Sequence, residues 1–266
     1  MGRPIRLGVI QAIAARPHHS RKRAARPLGS ALCNVVAVLV VAEGSIQAKR
    51  ILSRWSRPDD AGSDSAAPAI QRRRQLGRAV LRKLLVEVAR VAPLHCRFGV
   101  EPEGRPVIRA ANCRRLASIS LSHSRGWLAG ALSTDGAIGI DIEYHKPDRD
   151  FATLASAAFG PQERQLVEGG GATEFYRIWT LREAMAKALG IGLSLVTDGR
   201  DHVTPNAVEA RNWYLDYSEP VPGLSLAVVV ERRKGGRSRQ YWLGRVSGHK
   251  RGHARKIKYL LSLSST

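Results

Sequence analysis

In Ile138-Gly139-Ile140-Asp141-Ile142-Glu143, isoleucines alternate with a glycine and two acids. Side chains two apart on a strand share a face. The pattern therefore demands a strand whose isoleucine face is buried and whose other face carries Asp141 and Glu143 together. A second segment, Trp179-Thr180-Leu181-Arg182-Glu183-Ala184-Met185-Ala186-Lys187, is helix-like, and residues four apart on a helix point the same way. Glu183 and Lys187 therefore project together. If the strand and the helix pack side by side, three carboxylates and one ammonium meet. Three acids at close range repel one another unless a cation sits among them, and oxygen ligands suit Mg²⁺. Each segment alone has a plainer reading, a solvated acidic face and a surface ion pair. Together they favour a phosphoryl-transfer site.

The rest of the chain reads as α+β. Val35 to Ala42 is the longest apolar run. It falls far short of the roughly 20 residues that a membrane-spanning helix needs and suits a buried first strand. The basic residues before it imitate the start of a signal peptide, but Ala42-Glu43-Gly44-Ser45 is a poor cleavage site. A loop is expected over 57–69. A long helix follows from Ala69 to Val91, with Leu76, Val80, Leu84 and Val88 as its apolar stripe, stopped by Pro93. Short strands are predicted at His95 to Val100, Pro106 to Ala110, Ala117 to Ser122, Trp127 to Ser133 and Ala137 to Glu143. Helices are expected at Asp150 to Ala158 and from Pro161 to the glycine triplet 169–171. The helix with Glu183 should run from Thr173 to Leu189, stopped by Gly190. The last predicted strands are His202 to Thr204, Arg211 to Tyr217 and Leu224 to Val230.

Charge is unevenly distributed. The formal net charge is +21, but residues 1–30 hold seven Lys/Arg and no acid, and residues 231–266 hold eleven against one acid. The predicted organisation is a disordered basic extension over 1–33, an N-terminal lobe over 34–134, a C-terminal lobe with the metal site over 135–232, and a basic tail over 233–266. Such tails attract phosphates and acidic proteins generically. A nucleic-acid-binding protein is the rival reading, yet aromatic residues are only 6% of the chain and no zinc-finger spacing occurs. Cys33, Cys96 and Cys113, odd in number and widely spaced, fit a reducing cytoplasm better than a disulfide framework.

Gly139-Ile140-Asp141-Ile142-Glu143 followed by Trp179-x-x-x-Glu183-Ala184-x-x-Lys187 resembles the surfactin-type 4′-phosphopantetheinyl transferases. Gly104-Arg105-Pro106, Ser122-His123-Ser124, the basic run from Arg72 to Arg78 and Gly192-Leu193-Ser194-Leu195 extend the resemblance across roughly residues 70 to 230. It implies two similar lobes related by a pseudo-twofold axis, each a helix on a small, mostly antiparallel sheet. It also implies transfer of the 4′-phosphopantetheine arm of coenzyme A to a serine of an apo acyl or peptidyl carrier protein. On that resemblance Asp141, Glu143 and Glu183 hold Mg²⁺, and Glu183 and Lys187 are catalytic. Arg73, Arg105, Ser122 and His123 hold coenzyme A. A chain that builds its whole site internally should be a monomer.

The chain departs from the family pattern at several places, with no match to the family's N-terminal basic signature before Arg72 and no counterpart for the first 30 residues. Arg105 stands for the usual lysine, Arg182 for the lysine that precedes the catalytic glutamate, and Ile191 for a lysine after the helix. A degenerate member that binds coenzyme A without transferring the arm is a further alternative. Trp179 reads as a core anchor, and Tyr144 and His145 as residues that could line the site.

Overall fold

The computed structural model describes residues 35–60, 66–89, 96–102, 104–110, 115–134, 136–204, 213–231 and 240–247. The expected N-terminal extension lies outside them, as do Cys33, Cys113 and Val91.

Two sheets stack between two layers of helix. The first sheet takes β1 (Val35–Ala42), β2 (Cys96–Val100), β3 (Pro106–Ala110), β4 (Arg115–Ser124), β5 (Trp127–Ser133) and β9 (Gln240–Ser247) in the order β2-β3-β4-β5-β1-β9. Its pairings are antiparallel except β1 with β9, which is parallel. The second sheet is antiparallel, with β6 (Ile138–Tyr144), β8 (Leu224–Glu231) and β7 (Trp213–Val221) in that order. The two halves are thus both helix-on-sheet, but with six strands in one and three in the other.

Why β1 is apolar throughout is now visible. Ala37, Leu39 and Val41 face α1 (Ile46–Trp55) and α2 (Pro68–Ala89), joining a core with Leu76, Val80, Leu81, Leu84 and Leu85. Val36, Val38 and Val40 face the second sheet and meet Ile138, Ile140, Ile142, Leu226, Val228 and Val230. With both faces covered, no alternation is required. Each fully buried side chain of this size contributes about 1.5–3 kcal/mol relative to exposure.

On the far side of the second sheet lie α3 (Phe151–Ala158) and α4 (Pro161–Leu189). Asp150 caps α3, its carboxylate accepting the Thr153 N–H at 3.0 Å. The glycine triplet does break α4: Gly171 has φ 59° and ψ −140°, a non-helical pair that only glycine adopts readily. Beyond the kink the helix runs to Leu189, and Gly190 closes it in the left-handed region at φ 76°.

Three sequence expectations are corrected. The stretch Ile46–Trp55, assigned no element, is a helix capped by Ser45, whose hydroxyl accepts the Ala48 N–H at 3.1 Å. Residues His202 to Thr204 form no strand, because the His202 and Val203 N–H groups donate to the buried Glu163 carboxylate at 2.7 and 2.8 Å, not to a neighbouring strand. Residues 240–247, inside the stretch read as basic tail, form β9 against β1.

Candidate active site

The helix α4 reaches the strand β6 through a glycine. A Cβ at Gly139 would fall 1.7 Å from the Ala184 carbonyl oxygen, so no other residue lets the helix lie so close. Gly139, Asp141 and Glu143 share the strand face opposite the isoleucines. The same contact that buries α4 therefore carries Glu183 and Lys187 to the two acids.

Asp141 is 1% exposed. Its Oδ1 accepts from the Lys187 ammonium at 2.6 Å and from the Ser122 hydroxyl at 2.7 Å. Lys187 also donates to Ser122 Oγ at 3.0 Å and stands 3.8 Å from Glu183 Oε2. Asp141 Oδ2 is buried with no hydrogen-bond partner. A buried carboxylate oxygen left alone is costly, and a hard cation is one kind of group that would satisfy it.

The neighbouring acids are perturbed as well. Burial, reinforced by the charges of Asp141 and Glu143 and opposed by Lys187 and a hydrogen bond from Trp179, pushes Glu183 up to about 7. Burial and then Asp141 raise Glu143 above the usual carboxylate range, while the Ser124 hydroxyl and the charges of Arg149 and Lys187 pull it back. Three carboxylates share one ammonium, and their mutual repulsion is only partly relieved.

As they stand, the acids do not close into a cage. Among the described residues no three His, Cys, Asp or Glu side chains are arranged to hold a metal ion, and Lys187 occupies the Asp141 oxygen nearest it. The donor set nevertheless fits a hard divalent cation: an orphaned buried oxygen, two half-buried carboxylates and only oxygen donors. Asp141, Glu143 and Glu183 are the residues that would hold it.

The residues expected to hold coenzyme A divide between two places. Ser122 is in the carboxylate cluster, its hydroxyl engaged by Asp141 and Lys187. His123, one residue along β4, is exposed on the other face. There burial, then Arg73, lower its pKa, with Lys187 acting in the same direction and Glu43 opposing. Arg73 Nε donates to Glu43 Oε1 at 2.9 Å, so Arg73, Glu43 and His123 form a second polar group near the β4–β5 hairpin. Arg105 pairs with Glu101 at 3.2 Å within the β2–β3 hairpin. That hairpin touches the end of α4, a Cβ at Gly104 lying 3.6 Å from the Gly190 carbonyl.

Two residues given no role in the site chemistry belong to it. Trp179, stacked on Phe175 at 5.7 Å, also hydrogen-bonds Glu183 one turn later. Its i, i+4 spacing to Glu183 is the signal that could have found it. Ser124 donates to Glu143 Oε2 at 2.9 Å. His145, by contrast, stacks on Tyr176 at 4.2 Å and bonds the buried Ser225 at 2.7 Å, an anchoring role. Arg182 points away from the site and is fully buried against Glu163 at 2.6 Å.

Comparison with known proteins places a family match over the segment that carries these acids and Lys187. The model of the 4′-phosphopantetheinyl transferase superfamily matches residues 137–219, which include both β6 and α4 beyond its kink. The chain is 32% identical over 142 residues to the 4′-phosphopantetheinyl transferase HetI of Nostoc sp., covering 52% of this chain and 60% of that protein. It is 32% identical over 170 residues to a Synechocystis sp. protein provisionally named as a 4′-phosphopantetheinyl transferase, covering 62% and 68%. The 4′-phosphopantetheinyl transferase of Bacillus subtilis is 30% identical over 127 residues, covering 46% and 54%. The chain thus spans between about half and two thirds of the length of these relatives. On this family match and this extent of identity, the chain belongs to the 4′-phosphopantetheinyl transferase superfamily.

Proposed function

We propose that this protein is a surfactin-type member with two lobes related by a pseudo-twofold axis. On this reading it transfers 4′-phosphopantetheine from coenzyme A to a serine of an apo acyl or peptidyl carrier protein. It does so as a Mg²⁺-dependent monomer in the cytoplasm. The observation that carries the reading is the partnerless, buried Oδ2 of Asp141 inside a cluster of three carboxylates and one lysine.

In the reaction the carrier serine oxygen bonds to the phosphorus that bears the pantetheine arm. The bond from that phosphorus to the bridging oxygen breaks, and 3′,5′-adenosine bisphosphate leaves with the electron pair. A bound Mg²⁺ would supply charge neutralisation at the pyrophosphate. Glu183, one helical turn from Lys187, takes the serine proton directly or through one water. Lys187 is held at the rim by Asp141 and Ser122 and neutralises or protonates the leaving oxygen. Arg105, Ser122 and His123 hold the adenine and 3′-phosphate end, with Arg73 as a further contact to the 3′-phosphate. Most of the rate enhancement comes from holding the reactants in line.

Intact-mass spectrometry of an apo carrier protein incubated with this protein, coenzyme A and Mg²⁺ tests the proposal. The carrier should gain the mass of one phosphopantetheine arm, and EDTA should abolish the gain. Glu183→Gln should slow transfer by about 100-fold or more. No gain on several unrelated carriers, with the protein shown to be folded, would overturn the reading.

A further inference from the structure

β6 is an edge strand of its sheet, and its free edge meets the serine face of β4. Ser120, Ser122 and Ser124 are two apart and share that face. Ser120 Oγ accepts the Ile140 N–H at 3.1 Å, and Ser124 Oγ accepts the Tyr144 N–H at 3.1 Å. Serine hydroxyls thus satisfy edge amides that a neighbouring strand would otherwise take. Each hydroxyl still has one proton to donate. That of Ser122 goes to Asp141 Oδ1 at 2.7 Å, and that of Ser124 goes to Glu143 Oε2 at 2.9 Å. Ser120 meets no carboxylate, since Gly139 stands where the next acid of the series would be.

We infer that Ser124 is a positioning residue for the metal-holding set: it ties β4 to β6 through one bond and aims the Glu143 carboxylate through the other. Glu143 is repelled by Asp141, and the Ser124 hydroxyl on its Oε2 opposes that repulsion and fixes the carboxylate. Ser120 makes the first kind of bond only, and the two serines separate joining from aiming. The inference rests on the metal-dependent reading above. It goes beyond it by assigning a role to a residue that contacts no reacting atom.

Mn²⁺ binding to the full chain, followed by electron paramagnetic resonance without coenzyme A or carrier, tests it. Removing a partner that orients a metal ligand costs about 10-fold or more in affinity. Ser124→Ala should therefore weaken Mn²⁺ binding about 10-fold, while Ser120→Ala lowers the melting temperature and leaves Mn²⁺ affinity at the native value. Ser124→Thr and Ser124→Val, equal in shape and different in the hydroxyl, repeat the comparison should alanine loosen the strand; only the threonine variant should bind as the native protein does. Native affinity in Ser124→Ala and Ser124→Val overturns the inference alone, as does an equal loss in Ser120→Ala. A native protein that binds no Mn²⁺ overturns both this inference and the metal-dependent reading.

Discussion

Two cations five residues apart on α4 live under opposite conditions. Arg182 is fully buried, and its terminal nitrogens find four oxygens: Glu163 Oε2 at 2.6 Å, Asp198 Oδ1 at 3.0 Å, the Leu195 carbonyl at 2.7 Å and the Arg200 carbonyl at 3.1 Å. Glu163 in turn receives the His202 and Val203 amides. Lys187 is a third exposed, and the acids around it keep an orphaned oxygen and a glutamate pushed up to about 7. One cation has four oxygens on its terminal nitrogens, although its Nε is buried without a partner, and the other leaves its surroundings short of positive charge. The first ties the helix to the residues packed on it; the second stands among acids whose charge it only partly offsets.

The sharpest way to break this contrast is to remove each cation in turn. Arg182→Met leaves Glu163 buried and without its charge partner, which should destabilise the fold by about 3–5 kcal/mol. Lys187→Met should cost less, because Lys187 is a third exposed and Asp141 keeps the Ser122 hydroxyl as a donor, and Mg²⁺ should recover part of the loss. Urea denaturation of both variants checks this. Equal losses, or no recovery by Mg²⁺ in Lys187→Met, would erase the difference between the two sites.

A smaller effect follows from Glu183. Its folded pKa, about 7, lies above the unfolded value, so the folded state binds the extra proton. Its contribution to stability is fully present below the unfolded pKa and is lost as pH rises through about 7. The loss is at most about 3 kcal/mol by the linkage between pKa and free energy, and the neighbouring charges share it. Denaturation midpoints of the metal-free protein should therefore fall between pH 5 and pH 8. In Glu183→Gln the slope over that window should flatten. A native slope that persists in the variant would place the titration elsewhere.

The halves of this site were unequally legible in the sequence. The period of two in β6 and the four-residue spacing in α4 revealed the acids and Lys187, because periodicity reports which side chains share a face. The gap at Gly139, where α4 sits on β6, was not legible, since a glycine in a strand reads as mere weakness. Ser122 and His123 read as one phosphate-binding unit, although neighbours on a strand must face apart. The misread strand at 202–204 has the same origin as the buried pair beneath it. Glu163 and Arg182 look like surface charges until the fold closes over them. The helix Ile46–Trp55 carries Gln47, Lys49, Arg50 and Arg54 around only two buried residues, Ala48 and Ile51, so its apolar signal was thin.

Trp179 offers the finest test of the contrast, because it belongs to both regions. Its ring packs among Phe175 and Phe159, in the core that Arg182 helps to close, and Arg182 itself lies 5.1 Å over the Phe159 ring. Its hydrogen bond to Glu183 favours the ionised carboxylate and so opposes the rise caused by burial. Trp179→Phe keeps an aromatic ring in that core and removes the donor. The lost bond is worth about 1 kcal/mol, and the sign is fixed: Glu183 must become harder to ionise. Carbon-13 titration of the glutamate side chains should show its midpoint moving upward from the native value, with the melting temperature changing little. A midpoint that stays put or moves down would mean that Trp179 serves the core alone, and that the electrostatics of the site end at Glu183.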